Sequence, residues 1–254
     1  IKFYQNTYFS FGNSIIYSDL SGVHPAYLIP FFFYKSIDHT LNHNIENQNS
    51  QFFLNLSFRE IKYLHFFSSL YIDEFQKNRI FNDTLNNFLS FKIGAKLSNW
   101  PLKNLSNVLE LNFSSPMTYQ HTIESTKFES NKYNLGHYMR DNSKAINYNL
   151  TYKFVNRIKF NFDYFYAMHG DDIEYSFSNN YDPTAIPIRE NKTWDCTIYK
   201  FSLTKELKEN IYLGINYEIS KVMGYANANH TEEYYLNKFT PSFYSKLYSV
   251  NIAS

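Results

Sequence analysis

The feature that most limits what this chain can become is the alternation of apolar and polar residues through segment after segment. Ile146, Tyr148, Leu150, Tyr152 and Phe154 alternate with Asn147, Asn149, Thr151 and Lys153. After a tight turn, Ile158, Phe160, Phe162, Tyr164 and Tyr166 alternate with Lys159, Asn161, Asp163 and Phe165. Successive side chains of a strand point to opposite faces, so each segment has one apolar and one wet face. When the segments are joined by alternately short and long connections, the pattern is that of a transmembrane β-barrel.

About ten strands are expected, in the manner of outer-membrane barrels. They run over Lys2 to Phe11, Gln51 to Arg59, Tyr63 to Asp73, Asn87 to Leu97 and Ser106 to Ser114, then through the hairpin above. Three more follow: Trp194 to Leu203, Ile211 to Ser220 and Phe243 to Ile252. The short connections are Glu60 to Lys62, Asn99 to Asn104, Val155 to Asn156 and Thr204 to Asn210. The long ones are Glu74 to Asn86, Ser115 to Ser143, Met168 to Thr193 and Lys221 to Thr240. Barrels keep short turns on the periplasmic side and long loops outside. A soluble β-sandwich fits less well, because sandwich strands are shorter and their hairpins show no such alternation. The stretch His24 to Tyr34 is apolar without alternation and holds two prolines. It reads as a short helix or extended piece inside the barrel or across its mouth.

Composition agrees with this reading. Aromatic residues make up 20% of the chain, and barrels use them on the lipid face and in belts at both interfaces. The mean hydropathy is −0.45, which a polar lining explains. A net charge of +1 favours neither nucleic acid nor an acidic partner. No apolar run is long enough to cross a bilayer as a helix. Cys196, the single cysteine, lies in an alternating strand and reads as an inert buried thiol. The chain opens at Ile1 directly in strand-like sequence with no leader. Residues 1–254 are therefore expected to be one outer-membrane barrel region belonging to a longer protein.

Three groups of residues carry a family resemblance. The first is Gly12 to Asp19 followed by His24-Pro25-Ala26-Tyr27-Leu28-Ile29-Pro30. The second is Asp73-Glu74-Phe75. The third is Ser115-Pro116-Met117-Thr118-Tyr119-Gln120-His121, continuing to Tyr133-Asn134-Leu135-Gly136-His137 and Asp141-Asn142-Ser143. Together they resemble the capsule-assembly Wzi-like outer-membrane proteins, in the branch found in Bacteroidetes. The resemblance implies a monomeric barrel of roughly eighteen strands, a large even count normal for this class. It also implies a non-enzymatic, lectin-like protein that holds capsular polysaccharide at the cell surface, with a role in gliding motility in some relatives. A diffusion porin or transporter channel is the alternative from a different class.

The expected glycan contacts lie in the longest well-populated loop: Tyr119, His121, Glu124, Tyr133, Asn134, His137, Arg140 and Asp141. Sugars are met by aromatic plates and by planar polar groups that pair with vicinal hydroxyls. The same groups could instead bond to one another and order the loop.

Asp171, Asp172, Glu174 and Asp182 lack the spacing of a calcium loop and read as a solvated acidic segment. His39 and His43, like Asp38 and Asn42, fall four apart, but no further zinc ligand accompanies them. Asp73 and Glu74 are adjacent on a strand, point to opposite faces and cannot flank one glycosidic bond. Lys92, Lys96, Glu110, Lys153, Arg157, Lys159, Asp163 and Glu218 fall on the inward side, where mixed signs favour pairing across strands. No nucleophile–base pair is present, so no catalysis, metal or cofactor is expected. The expected partners are outer-membrane lipid and surface polysaccharide.

Overall fold

The computed structural model describes residues 2–18, 24–29, 32–41, 48–79, 87–121, 123–131, 133–172, 192–227 and 230–245. They form one antiparallel sheet of eleven strands with very little helix. The strands are β1 (Lys2–Tyr4), β2 (Thr7–Tyr17), β3 (Gln48–Phe58), β4 (Leu64–Glu74), β5 (Phe88–Ser98) and β6 (Leu105–Ser114). A two-stranded ribbon, β7 (Glu129–Ser130) and β8 (Tyr133–Asn134), stands apart within a loop. The sheet continues with β9 (Ser143–Lys153), β10 (Ile158–Gly170), β11 (Lys192–Lys208), β12 (Ile211–Asn227) and β13 (His230–Ser245). Every sheet strand pairs with the next in sequence, β6 pairing with β9 across the loop that holds the ribbon. The sheet is open: β1 and β13 are its edges and do not meet among the described residues.

Six expected strands agree with β3, β4, β5, β6, β9 and β10 to within a few residues. Three expectations need correction. The first segment is broken by a turn at Gln5–Asn6, and the strand after it runs on to Tyr17. The strands read as Trp194 to Leu203 and Ile211 to Ser220 are each 17 residues long. The segment Lys221 to Thr240, expected as a long loop, is instead mostly the paired ends of β12 and β13. β13 is centred on residues that show no clean alternation, and the expected strand Phe243 to Ile252 lies, beyond Ser245, outside the described residues.

Directly paired residues of an antiparallel sheet share a face, so the register sorts the whole surface. One row reads Thr7, Phe58, Phe66, Ala95, Leu109, Tyr148, Tyr164, Tyr199 and Ile219. The neighbouring row on the same face carries Leu64, Leu97, Asn107, Leu150, Phe162, Phe201 and Tyr217, with Asn107 accepting from the Tyr148 hydroxyl at 2.9 Å. Phe11, Phe91, Ile93, Leu109, Leu111, Phe201, Leu203, Leu213, Ile215 and Ile219 lie exposed on this side. Neither helix nor second sheet covers them among the described residues.

The opposite face is wet. Its rows contain Lys96, Val108, Asn149, Asp163, Lys200 and Glu218, and beside them Ser98, Ser106, Thr151, Asn161, Ser202 and Asn216. Polar groups pair across strands there: Ser57 with His65 at 3.0 Å, Thr151 with Asn161 at 2.9 Å, Asn161 with Ser202 at 3.1 Å and Lys200 with Glu218 at 3.3 Å. Neutral amides and hydroxyls carry more of this network than ion pairs do.

The apolar His24 to Tyr34 stretch supplies a 3-10 turn, Pro25–Leu28, followed by helix α1, Tyr34–Leu41. It sits beside the ends of β2 to β4 where the long connections leave. Phe33 rests edge-on against Phe52 at 5.7 Å, and Asn13 donates to the Phe32 carbonyl. Phe52 and Asn13 are paired on the apolar face, so Phe32 and Phe33 meet that face near its rim, while Lys35 of α1 reaches round the sheet end to the Asp73 carbonyl at 3.2 Å. His43 and Asn42 lie outside the described residues, as do the side chains of Asp38 and His39. The four short turns between β3 and β4, β5 and β6, β9 and β10, and β11 and β12 lie at the other end of the sheet. Each contains a residue in the left-handed region: Tyr63, Asn99 and Asn104, Arg157, and Asn210.

Candidate functional site

The loop 115–142 does not stand free. It folds down onto the wet face near the long-connection end. Its entry, Ser115-Pro116-Met117-Thr118, is fully buried. The Ser115 hydroxyl accepts from the Leu89 amide at 2.9 Å and pairs with the Thr118 hydroxyl at 2.8 Å. The Asn142 amide donates to the Ser115 carbonyl at 3.2 Å, closing the loop at its base. One row of the sheet receives it: Phe53, Tyr71, Ser90, Ser114, Ser143, His169 and Trp194. The three serines at its centre leave room for the loop above. The next row supplies Ala145, Ala167 and Cys196, which with Met139 of the loop form a small core. Cys196 is buried there.

The expected contact residues divide sharply. Tyr119 is buried, its ring 4.8 Å from Tyr71 and stacked at 6.1 Å on Phe128. Its hydroxyl accepts from the His137 amide at 3.1 Å and bonds the hydroxyls of Ser90 and Ser114. A φ of 80° is costly for a bulky side chain, about 1–3 kcal/mol, and persists because this packing holds it. His121 faces the Thr126 hydroxyl at 2.6 Å and accepts from the Ile123 amide. Asn134 accepts from the Gly136 amide and donates to the His137 carbonyl. Asp141 is buried, 3.4 Å from the Gln120 amide, and burial pushes its carboxyl up to about 6. These four residues build the loop.

Glu124, Tyr133 and Arg140 are exposed, and His137 is half-buried. Arg140 reaches Glu129 at 3.6 Å. Tyr133 is 78% exposed.

Two residues that pattern reading did not place in the site join this outer group. Tyr138, 67% exposed, packs on His137 at 4.4 Å and bonds Asn147. Lys92 lies on the sheet beneath His137. Register could have found Lys92, since it shares the wet side of β5 with Ser90. Nothing in the sequence marks Tyr138 above the other tyrosines. Between loop and sheet lies a cleft of about 280 Å³ lined by Ser69, Ser90, Lys92, Tyr119, Phe128, Leu135 and His137. It joins aromatic edges to hydroxyl, imidazole and ammonium donors. Burial holds the His137 imidazole below its usual range, so it is neutral at pH 7 and able both to donate and to accept.

Asp73 and Glu74 behave as their opposite directions require. Glu74 pairs with Arg79 at 2.9 Å, whereas Asp73 turns inward and is buried. Glu174 and Asp182 lie outside the described residues. Asp171 and Asp172 follow β10 directly.

Gly136 tests how tightly this loop is set. A β-carbon there would run into the ring of Tyr119, which is packed in a triangle with Tyr71 and Phe128 and held at its hydroxyl. Gly136→Ala is expected to loosen the loop by about 1–3 kcal/mol, the usual cost of overpacking. Faster cleavage between residues 128 and 140 in limited proteolysis, with unchanged β-sheet circular dichroism, would report it.

Neither protein-family models, nor curated proteins, nor solved structures contain a match to this chain. The Wzi-like resemblance therefore rests on the residues quoted for it.

Proposed function

We propose that this chain is part of the wall of an outer-membrane β-barrel that binds surface polysaccharide without breaking bonds. The observation that carries the membrane reading is the two-faced sheet: exposed, mainly apolar rows on one side, broken by a few polar residues such as Ser68 and Asn107, and hydrogen-bonded polar rows on the other. An uncovered apolar surface of this extent has no stable place in water. An eleven-residue strand such as β5, rising ~3.4 Å per residue and tilted ~45°, covers ~26 Å, the height of a barrel's apolar band. Exposed Tyr63, Trp100 and Phe154 at the short-turn end suit an interfacial belt.

The binding reading is supported by the loop 115–142. In a closed barrel the wet face lines the lumen, so a loop folded onto that face narrows the passage. This favours a binder over an open channel. Its outer groups Tyr133, Tyr138 and His137, with Lys92 of the sheet beneath, suit the hydrophobic and hydroxyl-bearing sides of a sugar ring.

The test is a pull-down of purified capsular polysaccharide by the detergent-solubilised protein, with planar-bilayer conductance alongside. Retention of polysaccharide and a silent bilayer are expected. Tyr133→Ala combined with Tyr138→Ala should weaken retention roughly tenfold, the equivalent of ~1.4 kcal/mol. Steady conductance without retention would replace the binder with a pore.

A further inference from the structure

A second cluster lies where the loop returns to the sheet, and neither the glycan reading nor the membrane reading uses it. Asp141 at the loop's end, His169 near the end of β10 and Asp172 just beyond it each turn one ligand atom to a common point. The three atoms lie within 4.8 Å of one another. Asp141 and His169 are buried and Asp172 is exposed.

The hydrogen bonds of His169 fix what its ring offers. Thr193 donates its hydroxyl to the Gly170 carbonyl at 2.9 Å. Its oxygen then accepts from Nδ1 of His169 at 3.2 Å. A neutral ring so held carries its proton on Nδ1, leaving a bare lone pair on Nε2. Orientation of a ligating imidazole through its other nitrogen is the usual arrangement around a metal. Nε2 is buried and has no hydrogen-bond partner. The nearest carboxylate oxygen, Oδ1 of Asp172, is 3.8 Å away, beyond hydrogen-bond reach. A lone pair facing two carboxylates is repulsive unless a cation stands between them.

The ring is also immobilised. It stacks on Trp194 with centroids 6.0 Å apart and planes 4° from parallel. The adjoining backbone is latched: Gly170 donates to the Asn142 carbonyl at 2.8 Å, and Asn142 donates to the Asp171 carbonyl at 3.1 Å. A β-carbon at Gly170 would collide with the Asn142 amide, so the close approach that holds Asp141 over His169 needs glycine.

We propose that Asp141, His169 and Asp172 bind a divalent cation of the zinc class, which clamps the return of the loop to the end of β10. One imidazole with two carboxylates suits a borderline first-row ion better than calcium, which takes six to eight oxygens. Ligand atoms on ~2.0–2.2 Å tetrahedral metal bonds stand ~3.4 Å apart, so closing the present spread of up to 4.8 Å requires Asp141 as well as Asp172 to move inward by about 1 Å. Three protein ligands leave a position for water. The site does not depend on the apolar face meeting lipid.

Trp194 is a reporter beside the site, and the chain has only one other tryptophan, Trp100, at the short-turn end. In the Trp100→Phe background, full-length protein is titrated with Zn²⁺ alone while Trp194 emission is followed, and calorimetry gives the stoichiometry. One equivalent should bind saturably and change the emission. His169→Gln and Asp141→Asn should each weaken binding at least tenfold. Asp172→Asn, at an exposed position whose replacement leaves folding intact, should do so roughly tenfold. Ca²⁺ should bind at least a hundredfold more weakly.

Absence of saturable binding, or binding unchanged by Asp172→Asn and His169→Gln, would overturn the site. Equal affinity for Ca²⁺ would overturn the assignment to a zinc-class ion.

Discussion

Leu109→Arg is expected to destabilise the membrane-inserted chain by ~2–4 kcal/mol, the cost of a lipid-facing arginine near the bilayer midplane. Leu109 is 44% exposed and lies between Ala95 and Tyr148 in the central apolar row. In water such a substitution at an exposed position moves stability by no more than ~0.5 kcal/mol. The two environments therefore give opposite answers for one side chain. Val108, its neighbour in sequence, points to the wet face between Lys96 and Asn149. Val108→Gln should stay within ~0.5 kcal/mol in either setting. Guanidinium unfolding from phospholipid bilayers gives the comparison. A Leu109→Arg protein as stable as the parent in bilayers would remove lipid from the apolar face, and with it the barrel.

The same alternation explains which parts of the fold were legible. Where a strand has one dry and one wet side, period two is forced on the sequence, so β3 to β6, β9 and β10 could be read almost residue by residue. Beyond the apolar band both faces of a strand meet water, and nothing enforces alternation. The end of β12 beyond Ser220 and the start of β13 that pairs with it carry no such alternation. His230-Thr231-Glu232-Glu233-Tyr234-Tyr235 has no period at all, yet it pairs with Asn227 to Lys221, across one irregularity between Tyr225 and Asn227. Pro241 argues against a strand by itself. It pairs with Ile215 on a strand that is an edge among the described residues, where a missing amide hydrogen can face outward.

The site was legible in part, and for a different reason. Loop composition marks residues able to bind sugar but not which of them turn inward. Tyr119 and Asp141 look like ligand contacts in sequence and are in fact the loop's own fastenings. His169, Asp172 and Asp141 are separated by a strand, so their convergence becomes visible only once β9 and β10 are placed side by side.

Tyr119→Ala is expected to have the second large effect, on the loop and not on the sheet. Removing a buried aromatic ring costs ~3–5 kcal/mol. Here the ring packs against both Tyr71 and Phe128, while its hydroxyl fastens the His137 amide and the serine pair below. A loss of ~3 kcal/mol in docking raises the undocked population by ~10²-fold, and proteolysis of a rapidly opening segment follows that population. Cleavage within residues 120–138 should accelerate by about that factor while the strands stay intact. Tyr119→Phe keeps the ring and loses only the hydroxyl, near 1 kcal/mol for a hydrogen bond, so cleavage should rise only about fivefold. Because Tyr133, Tyr138 and His137 are held in place by this fastening, polysaccharide retention should fall in the same order, alanine far more than phenylalanine. Equal retention in both variants would mean that the docked form of the loop is not the form that binds.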